Sequence, residues 1–199
     1  MSQKIINIDV QGHRITITGA ISLKLLVSDD FEYVGSQEIV IYGTSKVYHY
    51  VFAKSSKNDQ RKRMISKLFF LQYEYYLPEF IQPYNYTSTD IIEFGGISWQ
   101  RDNFIDSATY DDWDPQSDFY QMLTFLEKKN LKHPDLVWNN RLATMLNKEK
   151  TQELLILYIE DIPKDKLETL FVNGKLIDEE WEKEKVRLRE KCLNAFSIL

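Results

Sequence analysis

Acidic and aromatic side chains alternate through one stretch of the sequence, DSATYDDWDPQSDFY, which runs from Asp106 to Tyr120. It holds five aspartates and four aromatic rings, and it contains no lysine, arginine or histidine. Carboxylates at this density can bind a divalent cation, attract a basic protein or begin a helix. These three interpretations assign different chemistry to the same residues.

A metal site is the first interpretation. The run from Asp111 to Asp114 offers the hard oxygen ligands that magnesium and manganese bind. The corresponding function is a divalent-metal-dependent enzyme acting on phosphorylated or sugar-nucleotide substrates, with the anion bound by Arg61, Lys62 and Arg63. An EF-hand is excluded, because the loop lacks the glycine and the glutamate that this motif needs at fixed positions. Acidic pairs at this spacing are common, so we assign no metal ligand and no cofactor.

The start of a helix is the second interpretation, and it accounts for the later part of the stretch. Asp114 is a favourable N-cap, and Pro115 suits the first helical position because its φ is already set. Asp118 would then place negative charge near the positive end of the helix dipole. Capping leaves the earlier aspartates of the stretch without a structural role.

A docking surface for a basic protein is the third interpretation. Interfaces use aromatic side chains as anchors and opposite charge to accelerate association. The residues that combine these properties without a capping role are Asp106, Tyr110, Asp111, Asp112 and Trp113. We therefore predict a non-catalytic cytoplasmic protein-binding module, for example an acidic inhibitor or immunity-type protein that neutralises a basic enzyme. A structural or accessory subunit of a larger assembly is a further alternative.

Recognisable catalytic motifs are absent from the sequence. There is no nucleophile elbow, no phosphate-binding glycine loop, and no HExxH or paired-cysteine zinc motif. The only cysteine, Cys192, lies near the C-terminal end of a predicted helix, where the helix dipole opposes a thiolate. We predict a core cysteine there and assign no catalytic residue. The absence of motifs favours a protein that is not an enzyme, while the metal-dependent enzyme is kept as the alternative.

Charge is unevenly distributed along the chain. The net charge of −5 argues against a nucleic-acid partner, because phosphate binding needs a positive footprint. Residues 54–67 carry six basic side chains against one acid, whereas residues 90–118 carry eight acids against one arginine. The sequence leaves open whether these segments meet, and it leaves the oligomeric state open as well.

The expected location is the cytoplasm, with no membrane association. A single cysteine excludes an internal disulfide framework, which suits a reducing compartment. The N-terminus lacks the apolar stretch of a signal peptide, and the most apolar run, LLILYI, is too short to span a membrane.

The elements that must position these residues are predicted as strands first and helices afterwards. β-Branched and aromatic residues dominate the first fifty positions, and two further strand-like arms flank Gly95-Gly96. Helices are predicted over about 116–130, 135–148, 149–160, 164–171 and from 178 to the end. Another, over about 58–77, is predicted from an apolar stripe of Met64, Leu68, Leu71 and Tyr75.

This order of elements predicts an α+β fold. An N-terminal antiparallel β-meander, of about five to seven strands including the later hairpin, would pack against helices. The sheet and one long helix (about 58–77) would occupy residues 1–104. A mostly helical C-terminal half, residues 105–199, would pack on them within one compact domain.

Overall fold

A four-stranded sheet and an eight-stranded sheet form most of the computed structural model, which describes residues 5–57, 63–80, 82–88, 90–172 and 175–199. The strands are β1 (Ile6–Gln11), β2 (Arg14–Gly19), β3 (Leu23–Val27), β4 (Glu32–Ile41), β5 (Ser45–Lys57), β6 (Arg63–Tyr76), β7 (Ile91–Phe94), β8 (Ile97–Ser107), β9 (Leu131–Lys132), β10 (Leu136–Met145), β11 (Gln152–Asp161), β12 (Phe171–Val172), β13 (Lys175–Leu176) and β14 (Phe196–Ile198). The helices are α1 (Asp118–Lys128), α2 (Lys164–Leu170) and α3 (Asp178–Asn194), and a 3₁₀ turn covers Tyr110–Asp112.

The small sheet has the strand order β1-β2-β3-β14, so the last strand of the chain pairs with the third. The large sheet has the order β4-β5-β6-β11-β10-β8-β7, and all neighbours along this path are antiparallel. The short strand β9 adds to β6 in parallel. Strands β12 and β13 form a separate hairpin.

The central strands of the large sheet are buried on both faces, because other elements pack on each side of the sheet. Side chains of a strand alternate between these two faces. One face packs against the small sheet and α3 around a core that includes Phe52, Phe69, Trp99 and Trp138. The opposite face packs against α1 around a second core that includes Val51, Phe70, Met122 and Ile159. The candidate site lies on this second face.

The predicted α+β fold with a helical C-terminal half is wrong. Strands make up 52% of the structure and helices 21%. The predicted helix over 58–77 falls on β6 where the chain is described, and the predicted helices over 135–148 and 149–160 are β10 and β11. The predicted N-terminal meander is divided as well, since β1 to β3 lie in the small sheet and β4 to β6 in the large one.

Burial on both faces of the sheet explains this error. Every residue of β6 from Leu68 to Tyr75 is buried. A strand buried on both sides is a nearly continuous apolar run, and helical spacings occur within such a run by chance. The same holds for β11, in which all residues before Asp161 are buried.

Several local predictions are confirmed. Phe94 pairs with Ile97, which makes Gly95-Gly96 the two-residue loop of a hairpin. The helices α1, α2 and α3 lie where the sequence places them, although α3 ends at Asn194 and the chain continues into β14. No helix within the described ranges is long and apolar enough to cross a membrane.

Candidate functional site

The acidic segment, residues 106–117, connects the end of β8 to the start of α1 and is held in place by its own side chains. The hydroxyls of Ser107 and Thr109 both donate hydrogen bonds to the Asp112 carboxylate. The indole Nε1 of Trp113 donates to the Ser107 carbonyl oxygen at 2.7 Å. The exposed acids of the segment are therefore presented by an ordered turn.

The predicted N-cap is not the one that the helix uses. Ser117 caps α1, and its Oγ accepts from the backbone N–H of Tyr120 at 3.2 Å. The carboxylate of Asp114 instead accepts from the backbone N–H of Gln116 at 2.8 Å, within the turn that precedes the helix. Pro115 also lies in this turn, so the helix begins later than predicted.

The five residues predicted to bind a partner divide into an outer and an inner set. Asp111 and Asp112 are exposed, and Tyr110 is 36% exposed while its hydroxyl donates to the Glu127 carboxylate. Asp106 and Trp113 are partly buried and line a cavity against the large sheet. Only the outer set is exposed on the surface, and the partner-binding role of all five residues stays a prediction.

This cavity, which we call the sheet cavity, has a volume of about 160 Å³ and lies between the large sheet and the N-terminal turns of α1. Its aromatic wall is formed by Phe70, Phe104, Trp113 and Phe119. Its polar lining is formed by His49, Gln72, Asp106, Asp118, Asn139 and Arg141. Carboxylates, one guanidinium and aromatic rings thus share one small space.

A chain of hydrogen bonds forms the floor of the sheet cavity. Gln72 Nε2 donates to Asp118 at 3.0 Å and to Glu74 at 3.1 Å, so its Oε1 is free to accept from His49 Nε2 at 3.0 Å. Gln37 then donates to His49 Nδ1 at 2.9 Å. These directions assign His49 as the neutral tautomer with its proton on Nε2. Burial lowers the pKa of His49, which agrees with that assignment.

Asp106 is the least satisfied acid of the sheet cavity. Asn139 Nδ2 donates to its Oδ2 at 3.3 Å, and no hydrogen bond from a described residue reaches Oδ1. A carboxylate can accept about four hydrogen bonds. Burial raises the pKa of Asp106 to about 6, although the charge of Arg141 opposes this rise.

Arg141 supplies the positive charge of the cavity wall, but it is already engaged. Its guanidinium donates to Asp102 at 2.8 Å. It also stacks between two rings, with 4.8 Å to the ring centre of Tyr86 and 5.2 Å to that of Phe104. A guanidinium held by a carboxylate and two aromatic faces is a favourable arrangement. The Arg141 charge acts on Asp106 only through space, because its hydrogen bond goes to Asp102.

A second cavity, which we call the outer cavity, lies on the other side of the acidic segment. It has a volume of about 430 Å³, and Thr109 and Tyr110 form part of its wall. Leu123, Glu127 and His133 also line it. Burial lowers the pKa of His133 to about 4, so this imidazole is neutral at physiological pH.

The exposed acids of the acidic segment differ from the acids that precede them. Asp90 pairs with Arg101 at 2.9 Å, and Asp102 pairs with Arg141. Within the described ranges, no ion pair involves Asp111, Asp112 or Asp114. Their negative charge is therefore not neutralised by the part of the fold that the structure describes.

The basic residues predicted to bind an anion are only partly covered by the structure. Arg61 and Lys62 lie outside the described residues, whereas Arg63 pairs with Glu32. Two lysines of the same basic segment are paired as well, Lys54 with Asp30 and Lys67 with Glu160. No ion pair in the described chain joins the basic segment to the acidic residues 90–118.

The geometry does not favour the metal interpretation. Among the residues that the structure describes, no three His, Cys, Asp or Glu side chains are arranged to hold a metal ion. Asp112 accepts from two neighbouring hydroxyls, and Asp114 accepts from a backbone N–H. Asp112 and Asp114 therefore shape the turn.

Sequence reasoning missed most of the residues that line the sheet cavity. His49, Gln72, Asn139 and Arg141 are polar residues within strands that are otherwise apolar. Once residues 136–145 are recognised as a strand, the alternation of side chains places Asn139 and Arg141 on one face. Polar residues spaced two apart in a buried strand were therefore the available signal.

Comparison with known proteins assigns this chain to no family, since it matches no protein-family model, no curated protein and no solved structure. The candidate site therefore rests on the geometry described above.

Proposed function

We propose that this chain is a protein-binding module that docks a basic partner on the acidic segment. The observation that supports this most is the exposure of Asp111, Asp112 and Asp114 without an ion pair in the described structure. Leaving a single charge exposed to water costs little free energy. A cluster of charges of one sign creates an electric field that attracts an oppositely charged protein. Tyr110, exposed beside these acids, provides an aromatic anchor.

The order of the acidic segment also supports docking. Hydrogen bonds from Ser107, Thr109 and Trp113 fix the turn before any partner arrives. A pre-organised loop loses less conformational entropy on binding than a flexible one, so more of the contact energy contributes to affinity. An inhibitor or immunity-type protein for a basic enzyme would use such a surface, because charge attraction accelerates association.

A cytoplasmic location is part of this proposal. It rests on the single cysteine, Cys192, which is a buried free thiol in the structure. Chains that work in reducing compartments do not depend on disulfides.

The proposal is tested by changing the charge of the segment while keeping its shape. A site variant carries Asp111→Asn, Asp112→Asn and Asp114→Asn, because an amide oxygen still accepts the hydrogen bonds that form the turn. A control variant changes net charge equally on exposed helical positions, through Asp165→Asn, Glu168→Gln and Glu190→Gln. Wild-type chain and both variants are used to capture partners from an extract of the source cells, quantified by mass spectrometry.

A docking role predicts a protein that binds the wild type and the control but not the site variant. With that protein purified, the dissociation constant should rise by about tenfold or more for the site variant and by less than about twofold for the control. The affinity should also fall as salt concentration increases. A partner that binds all three chains equally would overturn the proposal.

A further inference from the structure

We infer that the sheet cavity receives the guanidinium group of an arginine side chain from the partner protein. This inference rests on the proposed function and specifies the chemistry that the partner must present. It begins from Asp106, whose Oδ1 accepts no hydrogen bond from the described residues, although the carboxylate is partly buried. A partly buried carboxylate with unused acceptor sites is stabilised by a cation that donates hydrogen bonds to it.

The aromatic wall of the sheet cavity favours a planar cation. The rings of Trp113 and Phe119 lie 4.7 Å apart between their centres, and both line the cavity together with Asp106. A guanidinium can stack on an aromatic face while donating two parallel hydrogen bonds to one carboxylate. An ammonium group lacks the flat surface that this arrangement uses.

The protein already contains one example of this chemistry in the same place. Arg141 stacks on Tyr86 and Phe104 and donates to Asp102. Its hydrogen bond goes to Asp102, so Asp106 has no hydrogen-bonded cation among the described residues. A second guanidinium, stacked on the cavity side of the Trp113 or Phe119 ring and donating to Asp106, would repeat this chemistry within the cavity.

The volume of the cavity agrees with this occupant. Cavities of about 150 Å³ accept a molecule the size of benzene, and a guanidinium has fewer heavy atoms than benzene. The sheet cavity, at about 160 Å³, is too small for most complete metabolites, which occupy pockets of about 300 Å³ or more. One side chain of a docked protein is the occupant that fits both the size and the charge.

The inference is tested on the isolated chain with Nα-acetyl-arginine amide as the probe. The indole N–H signal of Trp113 is followed by NMR and assigned with Trp113→Phe. Nα-acetyl-lysine amide is the comparison cation. The variants are Asp106→Asn, which removes the charge and keeps the shape, and Asp165→Asn, which makes the same charge change on the exposed surface of α2. Thermal melting verifies that each variant is folded.

We expect a saturable shift with a dissociation constant on the order of millimolar for the arginine probe. Asp106→Asn should weaken this binding by about tenfold, and Asp165→Asn by less than about twofold. The lysine probe should bind at least about threefold more weakly than the arginine probe. No saturable shift, an unchanged affinity in Asp106→Asn, or tighter binding of the lysine probe would each overturn the inference.

The arginine-probe test and the partner-capture test of the proposed function can fail independently of each other. The triple amide variant of Asp111, Asp112 and Asp114 should bind the arginine probe like the wild type, because these acids lie outside the sheet cavity. If the probe does not bind while the triple variant still loses the partner, the inference fails and surface docking stands. If the probe binds and the partner ignores the triple change, surface docking fails and the cavity remains a guanidinium site.

Discussion

Glu74 on β6 and Glu153 on β11 lie directly opposite each other in the register of two neighbouring antiparallel strands. Both are buried, at 7% and 3% exposure, and each accepts a hydrogen bond from a tyrosine. Tyr84 donates to Glu74 at 2.9 Å, and Tyr86 donates to Glu153 at 2.6 Å. Burial and the repulsion between two carboxylates in this position both disfavour ionisation of the pair.

The carboxyl pair predicts that the protein loses stability as pH rises above neutral. Burial, followed by the charge of Asp118, raises the pKa of Glu74 to about 7. Burial, followed by the charge of Glu74, raises the pKa of Glu153 to about 8. A carboxyl whose pKa is higher in the folded state than in the unfolded state contributes its full stabilisation at pH values below the unfolded pKa. This stabilisation is lost as pH rises through the folded pKa values of about 7 and about 8.

Other buried groups restrict where this loss can be observed. The pKa of His49 and that of His133 are lowered by burial, so these residues destabilise the fold as pH falls below their ordinary value of 6.5. At pH 6.5 the unfolded imidazoles are half protonated, so the two histidines add back less than about 1 kcal/mol of stability between pH 6.5 and pH 9. Urea unfolding at pH 6.5 and pH 9 should therefore show a loss on the order of 2–4 kcal/mol at the higher pH.

A matched pair of variants tests the assignment to the two glutamates. Glu153→Gln should reduce the loss between pH 6.5 and pH 9 by about half or more, because it removes one charge of the pair. The exposed Glu190→Gln should leave the loss unchanged. A wild type with constant stability over this range, or equal losses in both variants, would contradict the prediction.

Gln72 should couple energetically to His49. Gln72→Leu leaves the buried N–H of His49 without its acceptor, which should cost about 2–3 kcal/mol of unfolding free energy. His49→Leu should cost a similar amount. The double variant should cost about 1–2 kcal/mol less than the sum of the single changes, because the shared hydrogen bond is removed only once. Strictly additive losses in urea unfolding at pH 7 would show that the two side chains act independently.

Gly19 should tolerate a side chain less well than Gly12, although both have positive φ. A Cβ at Gly19 would lie 2.2 Å from the carbonyl oxygen of Ile5, whereas a Cβ at Gly12 would have no atom within 4 Å. Gly12→Ala should cost about 1–2 kcal/mol from its backbone conformation alone. Gly19→Ala should cost at least about 2 kcal/mol more, measured by thermal or urea unfolding. Similar losses for the two variants would show that the contact with Ile5 relaxes freely.

Cys192 should be chemically inert in the folded protein. Its side chain is fully buried, and burial raises the pKa of the thiol to about 12. Because the thiolate is the reactive form, labelling with a disulfide reagent should be at least about a hundredfold slower in the native protein than in urea. Rapid labelling of the native chain would show that α3 opens away from the large sheet.

Local structure was largely predictable from the sequence. The Gly95-Gly96 hairpin, the helix at α1 and the core position of Cys192 depend on turn chemistry, capping and side-chain polarity, which act over a few residues. The acidic segment was recognised by its charge, and its capping residue was misplaced because Asp114 and Ser117 are both acceptable N-caps.

Whether a long buried element is a helix or a strand could not be predicted in the same way. Residues 68–75 and 152–160 are buried on both sides and mostly apolar, and periodicity distinguishes a helix from a strand only when one side is polar. The missed strands then concealed the cavity lining, since alternation along a strand is what brings Asn139 and Arg141 to one face.

The amino-acid sequence by itself determined the Gly95-Gly96 turn, the positions of α1, α2 and α3, and the concentration of negative charge between Asp106 and Asp118. Only the tertiary structure decided that Asp106 and Trp113 turn inward while Asp111 and Asp112 face the solvent. Pairing between strands that are distant in the chain builds the sheet side of the cavity, and no local preference encodes which strands will pair. The residue type thus gives the sign of a charge, whereas the fold determines which groups lie beside it.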